Sequence, residues 1–287
     1  MSPKMKNFIV RAITGALFVA IMVAGLLDPT AMIGLFALIT GLALWEYTGL
    51  VNNIENVCIN RFISTVAGVY LFVAIAGINS GIIQTNAVFV PYLLTVVYLF
   101  ISELYTRNAN AVNDWAYTML GQMYIALPLA CINVLAFRQQ PDDTISFYFL
   151  LPLSVYIFLW VNDTGAYLSG SLLGRHKLFP RISPGKSWEG SIGGGLLVLA
   201  VAALLGWWEN SHECLSGLSV IEWMGLGLVV VFFGTWGDLV ESLFKRTLGI
   251  KDSGSILPGH GGMLDRFDSS LMAIPASVIY IYSLTLL

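Results

Sequence analysis

The chain has 287 residues, of which 57% are hydrophobic and only 11% charged, with a mean hydropathy of +0.78. That is too little polar surface to cover a water-facing globule of this size, so a soluble enzyme or binding module is excluded and an integral membrane protein is indicated. Fourteen Lys and Arg against 17 Asp and Glu, a net charge of −3, offer no basic surface for nucleic acid.

Apolar runs of about 20 residues, enough for a hydrocarbon core of roughly 30 Å, follow one another at approximately 8–27, 30–50, 62–78, 87–105, 115–137, 147–170, 188–208, 220–244 and 267–287. Long continuous runs satisfy their own backbone groups as helices, and the ten-residue alternation of a lipid-facing barrel is absent. The expected fold is therefore all-α, a polytopic membrane helical bundle with about nine transmembrane helices. The basic start, MSPKMKNFIVRAITGALFVA, imitates a secretory signal, but its apolar run is long and no convincing cleavage site follows, so it reads as a retained first span. Cys58, Cys131 and Cys214 form no CxxC pair, which implies neither a disulfide framework nor a zinc site.

Orientation follows from the cations. With the N-terminus inside, Lys4, Lys6, Arg11, Arg61, Arg107, Arg175, Lys177, Arg181, Lys186, Lys245, Arg246, Lys251 and Arg266 all fall on the inner side and only Arg138 on the outer. This predicts a cytoplasmic N-terminus and a cytoplasm-facing site, and the compact size of the chain suggests a bacterial inner membrane. Residues 1–150 read as N-terminal transmembrane helices with short neutral loops. Residues 151–287 read as a C-terminal transmembrane region with cytoplasmic loops, where polar residues invade the spans and any chemistry is expected to lie. Within it, Gly170 with Gly174 and Gly190 with Gly194 suit close helix approach in lipid; such glycine-rich spans are also compatible with a homodimer.

Three pieces of the second region carry chemistry. In WVNDTGAYLSGSLLGR, Asn162 and Asp163 stand about twelve residues before Arg175, roughly 18 Å along a helix. An ionisable residue at that depth is expected to line a polar cavity or to bond a neighbouring helix, and Tyr167 shares its face. In RHKLFPRISPGKSWEGSIGGG, the GKS imitates a phosphate loop, but Pro180 stands where the first glycine belongs and no strand precedes it. What remains is a basic loop with Ser183, Lys186 and Ser187 just before a span, where a helix N-terminus favours phosphate. Lys186 has Glu189 three residues away. In the third piece Asp238, Glu241, Ser242 and Lys245 fall at i, i+3, i+4 and i+7 on one helical face. A Gly- and Pro-containing loop then leads back to Asp265 and Asp268. Carboxylates gathered beside Lys and Arg suit Mg²⁺ bridging phosphate oxygens; alternatively Asp265 or Asp268 caps the last helix while Arg266 snorkels.

Ser242, Lys245, Arg246, Lys251, Asp252, Pro258, His260, Gly261, Gly262, Asp265, Arg266 and Asp268 resemble, at every fixed position, the C-terminal signature of the phosphatidate cytidylyltransferase (CDP-diacylglycerol synthase) family. Asn162 with Asp163, and Ser183, Pro184 and Lys186, are similar to two further elements of that family. The resemblance rests on roughly the second half of the chain. It implies transfer of the cytidylyl group of CTP to phosphatidic acid among the membrane lipids. Expected roles are Mg²⁺ held by Asp238 and Asp265, with Asp268 and Asp163 completing or supporting the shell. Lys186, Ser183, Lys245, Arg246, Lys251 and Arg266 are expected on phosphates, Asn162 on substrate and His260 on the leaving pyrophosphate.

Two rivals stay open on sequence alone. A cation-coupled transporter would use Asp163 and Asp238 as an ion path, yet the outer halves of the sixth and eighth runs offer only Glu222. A CTP-dependent enzyme acting on another membrane lipid would share every residue just named.

Overall fold

The computed structural model describes residues 3–106, 110–140, 142–212, 216–256 and 261–284. Helices dominate: α1 (Pro3–Leu26), α2 (Pro29–Val51), α3 (Arg61–Asn79), α4 (Val90–Ser102) preceded by a tight turn at Asn86–Phe89, α5 (Ala111–Gly121), a wide π-turn at Gln122–Ala126, α6 (Leu127–Ala130), α7 (Ile132–Ala136), α8 (Leu150–Leu173), α9 (Trp188–Asn210), α10 (Val220–Thr247), α11 (Leu264–Phe267) and α12 (Ser270–Leu284). Two small antiparallel hairpins pair β1 (Phe137–Gln139) with β2 (Ile145–Phe147), and β3 (Lys177–Phe179) with β4 (Ser183–Ser187).

Every apolar run read from the sequence contains a helix. Among the described residues six segments are both long and apolar enough to cross a membrane: α2, α3, α5 through α7, α9, α10 and α11 through α12. Ala12–Leu26 and Asn86–Ser102 are apolar but shorter. The 24-residue α8 is outside the six because Asn162, Asp163 and Thr164 interrupt its apolar character.

The helices begin where short polar side chains satisfy the free N–H groups of a first turn. Asp28 accepts from Ala31 N at 2.8 Å ahead of Pro29, Asn60 from Ile63 N at 3.0 Å, and Ser187 from Gly190 N at 3.2 Å.

Packing divides the chain into two compact units, Met1–Phe149 with Leu248–Phe267, and Leu150–Thr247 with Asp268–Leu287. In the first, Phe267 is buried with Phe18 and Phe36 edge-on to its ring at 6.0 and 6.2 Å, Tyr47 donates to Tyr117 O at 2.9 Å, and Gln122 Nε2 donates to Ser64 O at 2.8 Å. In the second, α8, α9, α10 and α12 pack together, with Phe158 edge-on to buried Trp223 at 6.4 Å. The α8–α9 approach depends on glycine. A Cβ on Gly194 would lie 2.6 Å from Asn162 Oδ1 and 2.7 Å from Asn162 O, and one on Gly190 would lie 2.9 Å from Ala166 O. Gly190 and Gly194 thus serve helix packing within the chain, as their spacing suggested.

Candidate active site

The second unit contains a polar cleft of about 370 Å³ between α8, the β3–β4 hairpin and the start of α9. Asn162, Asp163 and Tyr167 line it from α8, Lys186 and Ser187 from the hairpin, and Thr235 from α10. Asn162 is buried and its Oδ1 accepts no hydrogen bond among the described residues. Asp163 and Tyr167 are exposed to the cleft, one helical turn apart as read from the sequence.

The hairpin aims Lys186. Glu189, in the first turn of α9, pairs with His176 Nδ1 at 2.6 Å and accepts from the N–H groups of Arg175 and His176, each at 3.2 Å. That fastens the entry of the hairpin to the helix that follows it. Glu189 is therefore not the partner of Lys186, as their spacing invited. Lys186 Nζ instead lies 2.5 Å from Asp238 Oδ2 on α10. Ser183, at the other end of β4, is half-buried.

On α10 the expected polar face is present. Ser242 Oγ donates to Asp238 Oδ1 at 3.1 Å, and Lys245 Nζ lies 2.6 Å from Oε2 of Glu241, a fully buried carboxylate. The chain at Asp268 runs directly against this helix: a Cβ on Gly237 would lie 2.8 Å from Asp268 O. Asp268 is within electrostatic reach of Asp238, Lys245 and Asp163, and its Oδ1 accepts from Ser269 N at 2.5 Å. Arg246 is exposed at the end of α10.

The rest of the C-terminal signature folds in the first unit. Asp265 is buried and its Oδ2 accepts from Ser253 N and Gly262 N, each at 2.8 Å. Gly261 is in the left-handed region at φ +83°, with space for a Cβ only 2.5 Å from Asp265 Oδ2, so both backbone and space require glycine. Lys251, Asp252 and Arg266 are exposed. Pro258 and His260 lie outside the described residues.

The sequence reading missed Glu46. This buried residue of α2 accepts from Leu264 N at 2.9 Å and Ser253 Oγ at 3.2 Å. A Cβ on Gly262 would come 2.5 Å from its Oε2, so the second glycine of the pair makes room for a carboxylate. An acidic residue inside an apolar run is itself a signal of function, and LALWEYTGLV carries one.

The donor set is compatible with Mg²⁺. Among the described residues no three His, Cys, Asp or Glu side chains form a ready-made cage. Mg²⁺ rarely uses one: it dehydrates reluctantly and takes one or two carboxylates together with water and substrate phosphates. Asp238 and Asp268, two hard oxygen donors within each other's field, fit that habit.

With a polar cleft sunk among apolar helices, the chain has the parts of a membrane-embedded transferase of anionic groups. It matches the profile of the Cytidylyltransferase family over residues 6–284, and it belongs to that family. Curated relatives called phosphatidate cytidylyltransferase include one from Staphylococcus aureus (strain COL), 32% identical over 93% of this chain and 96% of the relative. Another, from Haemophilus influenzae (strain ATCC 51907 / DSM 11121 / KW20 / Rd), is 32% identical over 84% of this chain and 87% of its own. A third, from Staphylococcus epidermidis (strain ATCC 12228 / FDA PCI 1200), is 32% identical over 93% and 96%.

Proposed function

We propose that this protein transfers the cytidylyl group of CTP to phosphatidate, yielding CDP-diacylglycerol and pyrophosphate, with the cleft of the second unit as its reaction site. The observation that carries the reading is the Lys186–Asp238 pair at 2.5 Å, a cation and a carboxylate at a cleft among apolar helices, in a member of this family.

A phosphate monoester oxygen of phosphatidate attacks the α-phosphorus of CTP. The bond from that phosphorus to the bridging oxygen of the β-phosphate breaks, and pyrophosphate leaves with the bond pair. The attacking oxygen is already ionised, so the protein's tasks are to hold two anionic molecules in line and to stabilise the departing charge. Lys186 and Ser183 take phosphate oxygens, and buried Asn162 presents its side chain to the nucleotide or headgroup. Lys245, held by Glu241, supplies fixed positive charge within electrostatic reach of Asp268. Asp238 and Asp268 would hold Mg²⁺, with Asp163 supporting, and the ion when bound would supply positive charge against the phosphates. Arg246, at the end of α10, is read in the same way on phosphate; in the first unit, Lys251 and Arg266 on phosphates, His260 on pyrophosphate and Asp265 on metal are separate proposals that the sequence resemblance alone supports.

The topology we infer has about nine spans, with the N-terminus and the cleft at the cytoplasmic face of a bacterial inner membrane. The one-sided distribution of Lys and Arg supports it. Such a site suits both substrates: the lipid stays in the bilayer and CTP stays in water.

The test is release of labelled pyrophosphate from γ-labelled CTP by protein purified in detergent, with and without phosphatidate and Mg²⁺. Release that requires both, and is lost in Asp238→Asn, is the expected result. Release independent of phosphatidate, or none with it, would overturn the reading.

A further inference from the structure

Beside the polar cleft, on the second unit, lies a second concavity of different character. It has a volume of about 340 Å³ and is lined by apolar side chains of α9 and α10, with Leu178 of the hairpin at its end. Ser191 and Thr235 line both spaces, so the groove opens from the cleft across a seam of two hydroxyl residues.

Its walls are two helical stripes. Trp188, Ile192 and Leu199 follow one face of α9, and Leu228, Phe232 and Trp236 one face of α10. From Trp188 to Leu199 the groove descends roughly 16 Å at the rise of a helix, about half of a hydrocarbon core. The side chains stand apart rather than interlock: Ile192 and Phe232 are 60% and 56% exposed, and a Cβ added to Gly195 would meet nothing nearer than Val231 Cγ1 at 3.7 Å. Close-packed helices do not leave such a trough without something to fill it.

We propose that this groove holds one acyl chain of the lipid substrate, so that the headgroup lies in the cleft while the chain runs down between α9 and α10 to Leu199. The proposal rests on the cleft being the reaction site. Two observations and the proposed topology select this occupant: the groove is apolar beyond Ser191 and Thr235, it begins at the cleft, and on that topology it runs toward mid-membrane as an acyl chain does. Ser191 and Thr235 mark the level of the ester linkages, where hydroxyl donors suit carbonyl acceptors.

Leu199 lies roughly 12 Å below Ser191 by helical rise, beyond the end of an octanoyl chain and within the path of a palmitoyl chain. Leu199→Trp therefore blocks the bottom of the groove, and Leu199→Phe blocks it partly should the larger ring disturb folding. Both are assayed with dioctanoyl and dipalmitoyl phosphatidate at equal mole fraction in mixed micelles. The expected result is a KM for dipalmitoyl phosphatidate raised about tenfold, the worth of roughly two methylenes displaced from apolar contact. KM for dioctanoyl phosphatidate and for CTP should be unchanged. Equal loss on both lipids, or loss on neither, overturns the proposal. An inactive wild type would sink the activity and leave the groove to be decided by photo-crosslinking with phosphatidate carrying a diazirine near its tail. Labelling of α9 competed by phosphatidate and not by phosphatidylcholine supports the groove as a substrate site. Labelling competed equally by both makes it an ordinary lipid-facing surface.

Discussion

Lys186 Nζ stands 2.5 Å from Asp238 Oδ2, joining a hairpin to a helix across 52 residues of sequence, from 186 to 238, with both side chains about a quarter exposed. An ion pair open to the cleft contributes little to stability; on the reading proposed above, it sets the position of a cation that receives phosphate. Lys186→Ala should lower kcat/KM for CTP on the order of a hundredfold, equivalent to roughly 3 kcal/mol of charge-assisted bonding, with little change in thermal unfolding. Lys186→Arg should recover part of it. Steady-state pyrophosphate release, beside an unfolding curve in detergent, measures both.

Asp238 and Asp268 are expected to act on metal rather than on fold. Chelation should abolish turnover and added Mg²⁺ restore it. Asp268→Asn should raise the Mg²⁺ concentration for half-maximal rate about tenfold or more, as the loss of one hard ligand would. A Mg²⁺ titration of each variant is the measurement, and an unchanged midpoint would remove Asp268 from the metal's surroundings.

Glu46 anchors the loop that carries Asp265, through Leu264 N and Ser253 Oγ. Glu46→Ala leaves a buried N–H without its acceptor, at a cost of about 1–3 kcal/mol. A lowered unfolding temperature and faster proteolysis within residues 248–267 should follow. Glu46→Gln keeps an acceptor oxygen and should be milder.

Gly194→Ala tests the α8–α9 contact. Its Cβ would lie 2.6 Å from Asn162 Oδ1 and 2.7 Å from Asn162 O. Because one of these atoms is backbone, the helices must part, at a cost of about 1–3 kcal/mol. Since Asn162 lines the cleft, KM for substrate should rise together with the loss of stability. Gly185→Ala, with nothing within 4 Å of its Cβ, is the control expected to leave stability unchanged.

What local spacing determines was legible in the sequence. The face of Asp238, Glu241, Ser242 and Lys245 follows from helical periodicity alone, and the structure bonds Ser242 to Asp238 and Lys245 to Glu241 along it. The helices of the apolar runs and the packing role of Gly190 and Gly194 follow in the same way. Partnerships across the fold were not legible. Lys186 has a carboxylate three residues ahead, yet the hairpin turns it toward Asp238 and gives Glu189 to His176. That hairpin rests on strands of three and five residues, with Pro184 and Gly185 inside one of them, too short and too interrupted for alternation to reveal. Glu46 stands out in the sequence only as a lone carboxylate in an apolar run; the groups it bonds, Ser253 Oγ and Leu264 N, are 207 and 218 residues away, so its role was not legible.

The same separation bears on how the protein is made. A ribosome adding about 5–20 residues per second reaches Leu264 on the order of ten to forty seconds after Glu46 has entered the nascent chain. Throughout that interval an acidic side chain in an apolar helix waits without the two donors that will bond it. The insertion machinery must shelter it until Leu264 has been translated.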